Sequence, residues 1–198
     1  MTGNKISTAE PNMQSPRNNS TEPNQPIRPS RIAHFVIRTN RVAELVSWYK
    51  TVFHADCVFD NGSLAFLHFD QEHHRIAIGE VPGLEDLNPS AAGFDHVAFS
   101  YTSIGELLET YARLKGLGIC PYLEVDHGPT TSFYYKDPDG NQIELQVDNF
   151  ETLEDAHGYF KSDAFAKNPL GELIKADDLL VRYRAGEDPY KLLSSGTT

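Results

Sequence analysis

The sequence predicts an α+β fold: two tandem βαβββ modules whose strands form one curved mixed sheet around a shared cavity, with the helices outside. Two observations carry this. First, a strand–turn–helix unit occurs twice at a constant offset. His34 and His96 sit early in Ala33-His34-Phe35-Val36 and Asp95-His96-Val97-Ala98. The same 62-residue shift aligns Val42 with Ile104, Glu44 with Glu106, Leu45 with Leu107 and Tyr49 with Tyr111, without a gap. Second, each unit is followed by three stretches of strand composition separated by turn residues.

Residues 1–29 are rich in Asn, Ser, Pro, Thr and Glu. Such a segment buries too little to offset its ordering entropy, so it reads as a disordered tail. The folded domain is expected over 30–150, with module one at 31–83 and module two at 94–148. Ile32–Ile37 has the composition of an opening strand. In both modules the apolar residues at spacings of three and four (Val42, Leu45, Tyr49; Ile104, Leu107, Tyr111) mark one face of an amphipathic helix. The strands expected next are Asp56–Phe59, Ser63–Phe69 after Asn61-Gly62, and His74–Glu80. In module two they are Ile119–Glu124, Thr130–Lys136 and Asn141–Val147, the last following Asp137-Pro138-Asp139-Gly140. Beyond Asp148, residues 151–198 read as a helical tail, with helices over Leu153–Phe160 and Asp178–Arg184 and Gly186 as a stop signal. The tail either packs on its own sheet or serves as a lid or subunit contact, and the sequence leaves both open.

A formal charge of -11 disfavours nucleic acid as a partner, since backbone binding needs Lys and Arg to displace counterions. It equally disfavours an anionic membrane surface. No apolar run approaches the roughly 20 residues of a membrane span, and the N-terminus lacks the apolar core of a secretory signal. The two cysteines, Cys57 and Cys120, are too few for a disulfide framework. The expected setting is the cytoplasm.

The last strand decides which side chains look into the cavity. In Gln142-Ile143-Glu144-Leu145-Gln146-Val147 the apolar residues alternate with polar ones. Ile143, Leu145 and Val147 therefore face a helix, and Glu144 faces the other way. His96 shares a face with Ala98 and Ser100, and His34 occupies the repeat-equivalent position. Taken singly, His34 or His96 would be a hydrogen-bonded strand histidine and Glu144 a solvated carboxylate. Their coincidence with the repeat points instead to three metal ligands. Two imidazoles and one carboxylate with open positions form the facial set of non-haem Fe(II) oxygenases. Zinc is compatible with the same donors.

The stretch from Val125-Asp126-His127-Gly128-Pro129 through Phe133-Tyr134-Tyr135-Lys136-Asp137-Pro138-Asp139-Gly140 to Glu144 resembles the signature of one-domain type I extradiol catechol dioxygenases. These belong to the vicinal oxygen chelate superfamily of glyoxalases, bleomycin resistance proteins and dioxygenases. Leu67-His68-Phe69-Asp70-Gln71-Glu72-His73-His74-Arg75 resembles that family's paired-histidine strand, and Asn168-Pro169-Leu170-Gly171 is similar to the tail of one-domain members. The resemblance spans about Arg31 to Asp148, and the chain has no room for the two further modules of the larger enzymes.

The resemblance implies Fe(II), with Mn(II) as a substitute, on His34, His96 and Glu144. It implies His74 as an acid–base residue over the metal, and His127 and Tyr134 as hydrogen-bonding partners of the substrate oxygens. The implied reaction is extradiol ring opening of a catechol-type aromatic (2,3-dihydroxybiphenyl-like) with insertion of both atoms of O2. Self-association as a homodimer or higher homo-oligomer is expected. The competing readings are a glyoxalase-type metal-dependent lyase or isomerase, which usually has four protein ligands, and a non-enzymatic small-molecule-sequestering protein of the same fold. No carboxylate stands in clear register for a fourth ligand; Glu80 lies near the end of the equivalent strand. The sequestering proteins need no metal triad.

Overall fold

The structure, a computed structural model, describes residues 26–193. The expected disordered tail lies almost wholly outside the described residues. Residues 26–32 belong to a separate leading unit and carry no helix or strand, and the second unit begins at Ala33.

Module one runs β1 (Phe35–Thr39), α1 (Val42–Phe53), β2 (Asp56–Asp60), β3 (Leu64–His68) and β4 (Ile76–Glu80). Module two repeats the order as β5 (His96–Tyr101), α2 (Ile104–Gly116), β6 (Leu123–Asp126), β7 (Thr130–Lys136) and β8 (Gln142–Asp148). The tail adds α3 (Leu153–Tyr159), α4 (Asp163–Lys167), β9 (Glu172–Leu173), α5 (Ala176–Arg184) and α6 (Pro189–Leu193). The sheet is not continuous. Four strands pair in the order β1-β4-β3-β2 and five in the order β5-β8-β7-β6-β9. Each sheet is mixed, because β1 and β5 run parallel to the last strands of their modules while the other pairs are antiparallel.

Three departures from the sequence expectation have local causes. The first strand after α2 begins at Leu123 rather than Ile119, because Gly118 turns the chain at φ 79° and Pro121 brings no N–H to a ladder. The strand expected from His74 starts only at Ile76, which leaves His74 on the loop before it. In the tail, α4, α6 and the two-residue β9 are too short to show a period.

Both helices bury the faces their spacing marks: Leu45, Tyr49, Leu107 and Tyr111 all lie in one hydrophobic core cluster with Phe133, Tyr135, Ile143 and Leu145. Ser103 caps α2 by accepting from the Glu106 amide at 3.2 Å, and the Glu106 carboxylate accepts from the Thr102 amide and hydroxyl. The Arg113 guanidinium donates to the carbonyls of Thr51 and Val52 at 2.7 and 2.8 Å, closing the last turn of α1 from the other module.

The repeat-related tyrosines part company at their hydroxyls. Tyr111 donates to Asp177 of the tail at 2.8 Å, whereas Tyr49 donates to Asp137 at 3.1 Å. Asp137 is buried and also accepts from the amides of Asp139 and Asn141 and from the Asn141 side chain. Burial pushes its carboxyl above the usual range, and the bonds from Asn141 and Tyr49 oppose that. The Asp-Pro-Asp-Gly segment is thus both a hairpin turn and the point where α1 grips module two. Asp137→Ala would strand two backbone amides and a buried phenol, so about 3 kcal/mol of stability should be lost. Denaturant unfolding of the variant measures this.

Candidate metal site

The sheet of module two positions the first cluster. β5 and β8 are paired with His96 opposite Gln142 and Ala98 opposite Glu144, while β7 puts Tyr134 opposite Glu144. Alternation then sends Ile143, Leu145 and Val147 to the core beneath α2 and leaves His96, Glu144 and Tyr134 on the other face. Glu144 is buried there at 5% exposure, unusual for a carboxylate unless it is partnered.

Its partner is His96, whose Nε2 lies 2.9 Å from Glu144 Oε2. On its far side the imidazole places Nδ1 2.6 Å from the Asp95 carboxylate. Nδ1 therefore carries a proton, and two lone-pair atoms at 2.9 Å are held together by a shared cation, a proton or a metal ion. Ligands at a right angle on an ion with bonds of roughly 2.1 Å stand about 3 Å apart, which this pair matches. The donor set fits a first-row divalent metal. Asp95, in turn held by Gln142 Nε2 at 3.3 Å, fixes the ring orientation as an outer carboxylate does for metal-bound histidines. It was missed in the sequence although it directly precedes His96, because adjacency on a strand does not reveal a side chain curling back. Asp95→Asn should weaken metal affinity about 10- to 100-fold, read by titration with Fe(II) under anaerobic conditions.

The second cluster comes from module one. His34, one residue ahead of β1, stacks on His74 with ring centroids 4.6 Å apart. His74 is further held by Phe66 at 4.7 Å and by His73, whose Nδ1 lies 2.6 Å from its own. Burial, followed by the neighbouring His73 and His34, holds His74 below its usual value of 6.5. Among the described residues no three His, Cys, Asp or Glu side chains are drawn together closely enough to cage an ion. His96 and Glu144 meet, while His34 is engaged with His74.

Tyr134 and His127 are also brought together. The Tyr134 hydroxyl lies 2.9 Å from His127 Nε2, and its ring meets the edge of His96 at 5.3 Å. Burial, the Glu144 charge and a hydrogen bond to Glu144 raise the phenol well above its ordinary range, so it stays protonated. Tyr135 points the opposite way into the core.

The registers also locate the counterpart of Glu144. Val36, which the repeat equates with Ala98, is paired with Ala77, as Ala98 is with Glu144. Ala77 thus stands at the position equivalent to Glu144, and Glu80 lies three residues further along β4 with its carboxylate hydrogen-bonded to Ser63.

The model of the Glyoxalase/Bleomycin resistance protein/Dioxygenase superfamily matches residues 31–145, and the chain belongs to that family. It is 43% identical over 152 residues to biphenyl-2,3-diol 1,2-dioxygenase 2 of Rhodococcus globerulus, covering 76% of this chain and 79% of that one. Biphenyl-2,3-diol 1,2-dioxygenase 3 of the same organism is 40% identical over 158 residues, covering 79% and 83%. Among solved structures, a glyoxylase/bleomycin resistance protein/dioxygenase domain from a Frankia species superposes with a TM-score of 0.53 at 18% identity, covering 66% of this chain and 99% of that one. A fosfomycin resistance protein of Listeria monocytogenes gives 0.51 at 22%, covering 65% and 99%. These two likenesses are of fold alone.

Proposed function

We propose that this chain is an extradiol ring-cleaving dioxygenase acting on a biphenyl-2,3-diol-like catechol, with Fe(II), or Mn(II) in its place, on His34, His96 and Glu144. The observation that carries the reading is the identity of 40–43% to two biphenyl-2,3-diol dioxygenases over most of both chains. The absence of a carboxylate at Ala77, the register counterpart of Glu144, supports it over the lyase reading. The retained histidine and glutamate donors support it over simple sequestration.

Iron held by His34, His96 and Glu144 would supply the redox chemistry between catechol and dioxygen. The chain's own groups do the rest. Tyr134, kept protonated, would turn its one O–H from Glu144 or His127 to a catechol oxygen, leaving His127 Nε2 as the adjoining acceptor. His74, neutral at physiological pH because its pKa is lowered, takes and returns the proton that ring opening requires. Phe66 holds the His74 ring in place.

A histidine with a lowered pKa stays neutral to lower pH. The acid limb of kcat/KM set by His74 should therefore fall below pH 6.5. His73→Ala removes one of the causes and should move that limb upward, which a pH–rate profile reads. Among the described residues no helix is long and apolar enough to cross a membrane.

The test of the function is anaerobic reconstitution with Fe(II), followed by admission of O2 with 2,3-dihydroxybiphenyl and 3-methylcatechol, and with His34→Ala as control. A coloured ring-opened product with matched oxygen uptake, absent in the variant, is the expected result. Tight iron binding with no uptake on any catechol of a wider panel would overturn it.

A further inference from the structure

After Asp148 the chain returns to module two at three close contacts, two at glycines of module two and one at a glycine of the tail itself. Tyr183 lies so close to Gly105 that a Cβ there would meet its hydroxyl at 2.4 Å, and Tyr159 would meet one on Gly128 at 2.2 Å. At Gly171 the contact is backbone to backbone: a Cβ would lie 2.1 Å from the Asp126 carbonyl oxygen and 2.6 Å from the His127 Cα. Gly171 also has φ 86°, in the left-handed region that only glycine enters without strain. From there β9 pairs with β6, through Leu173 opposite Val125 and Glu172 opposite Asp126. Asn168 braces the turn by donating from Nδ2 to the Gly171 carbonyl at 2.7 Å and to Glu172 at 2.8 Å.

This close docking places the Leu170 carbonyl 2.7 Å from His127 Nδ1. A carbonyl only accepts, so Nδ1 must carry a proton, and Nε2 is the nitrogen turned to Tyr134. The geometry points to the tail segment Asn168–Gly171 as a positioning element of the active site. Its Leu170 carbonyl fixes both the orientation and the protonated nitrogen of His127. The consequence for catalysis rests on the function proposed above. A ring free to rotate would present Nε2 to Tyr134 and the substrate only part of the time, and a misplacement of about 1 Å costs on the order of 100-fold. The tail thereby contributes to the site a group 43 residues away from the histidine it holds.

The test is histidine 15N NMR on the full chain, with the His127 signal assigned by its loss in His127→Asn. The expected wild-type spectrum shows His127 protonated at Nδ1 throughout. Gly171→Ala, and Asn168→Ala where the glycine variant folds poorly, should mix the two neutral tautomers and lower kcat about 10- to 100-fold with KM little changed. Leu173→Ala, which keeps the backbone and alters only an exposed side chain, should leave both readings at wild type. An unprotonated Nδ1 in the wild type, or a disturbed tautomer with unchanged kcat, overturns the proposal. The spectrum does not depend on turnover, so a wild-type protein with no ring-cleaving activity overturns the function alone.

Discussion

Glu144→Ala is expected to remove bound iron and to reduce ring cleavage by at least about 1,000-fold, the equivalent of several kcal/mol of metal-dependent stabilisation. The side chain is buried, lies 2.9 Å from His96 Nε2 and touches the Tyr134 hydroxyl, so one substitution strips three functions from the site. It removes a proposed ligand, it removes the negative charge that would offset a divalent ion, and it frees Tyr134. The last effect has its own signature. Burial is the largest cause of the raised Tyr134 pKa, with the Glu144 charge and hydrogen bond next, so the phenol should titrate lower in the variant. Metal analysis, oxygen uptake and a tyrosine titration at alkaline pH read the three effects separately. A variant that keeps both iron and turnover would remove Glu144 from the ligand set.

The difference between what was legible in the sequence and what was not follows from the range of each signal. The repeat was legible because it is written twice: one shift matches His34 with His96 and the buried faces of α1 and α2. Alternation in β8 put Glu144 on the face away from α2, and its contact with His96, with Ile143, Leu145 and Val147 in the core, agrees with that parity. What was hidden depends on contacts between distant segments. The expectation of one curved sheet gives way to two, since β1 and β5 stand in separate sheets and a strand's own pattern does not say which strands it will pair with. The Tyr49–Asp137 bond spans 88 positions, and nothing near Asp137 distinguishes a turn residue from an anchor. The Leu170 carbonyl is a backbone group, so no residue type could have announced it. Asp95 required knowledge of a rotamer. The identity of the fourth-ligand position became visible only with strand register, since a shift found in the helices does not carry through loops of unequal length.

That register supports a sharper test of how the site is divided between oxygenase and lyase chemistry. Ala77→Glu would place a carboxylate on β4 where the repeat puts Glu144 on β8. Ala77 is 4% exposed and beside Phe66 on β3, so an added carboxylate there is placed in a site shielded from water. Burying it costs free energy unless a cation comes with it. The metal-free variant should therefore unfold at a lower temperature than wild type, and saturating divalent metal should raise its Tm by more than it raises that of the parent. Ring cleavage should fall about 1,000-fold even with the metal in place, because the new oxygen takes a position that the catechol and O2 need. The pattern is opposite to that of Glu144→Ala, in which activity and metal are lost together. Loss of turnover with metal retained would show that the open coordination position, and not the metal alone, makes this fold an oxygenase site. Full activity with a metal-independent Tm would show that Ala77 matches Glu144 in register but does not face the ion.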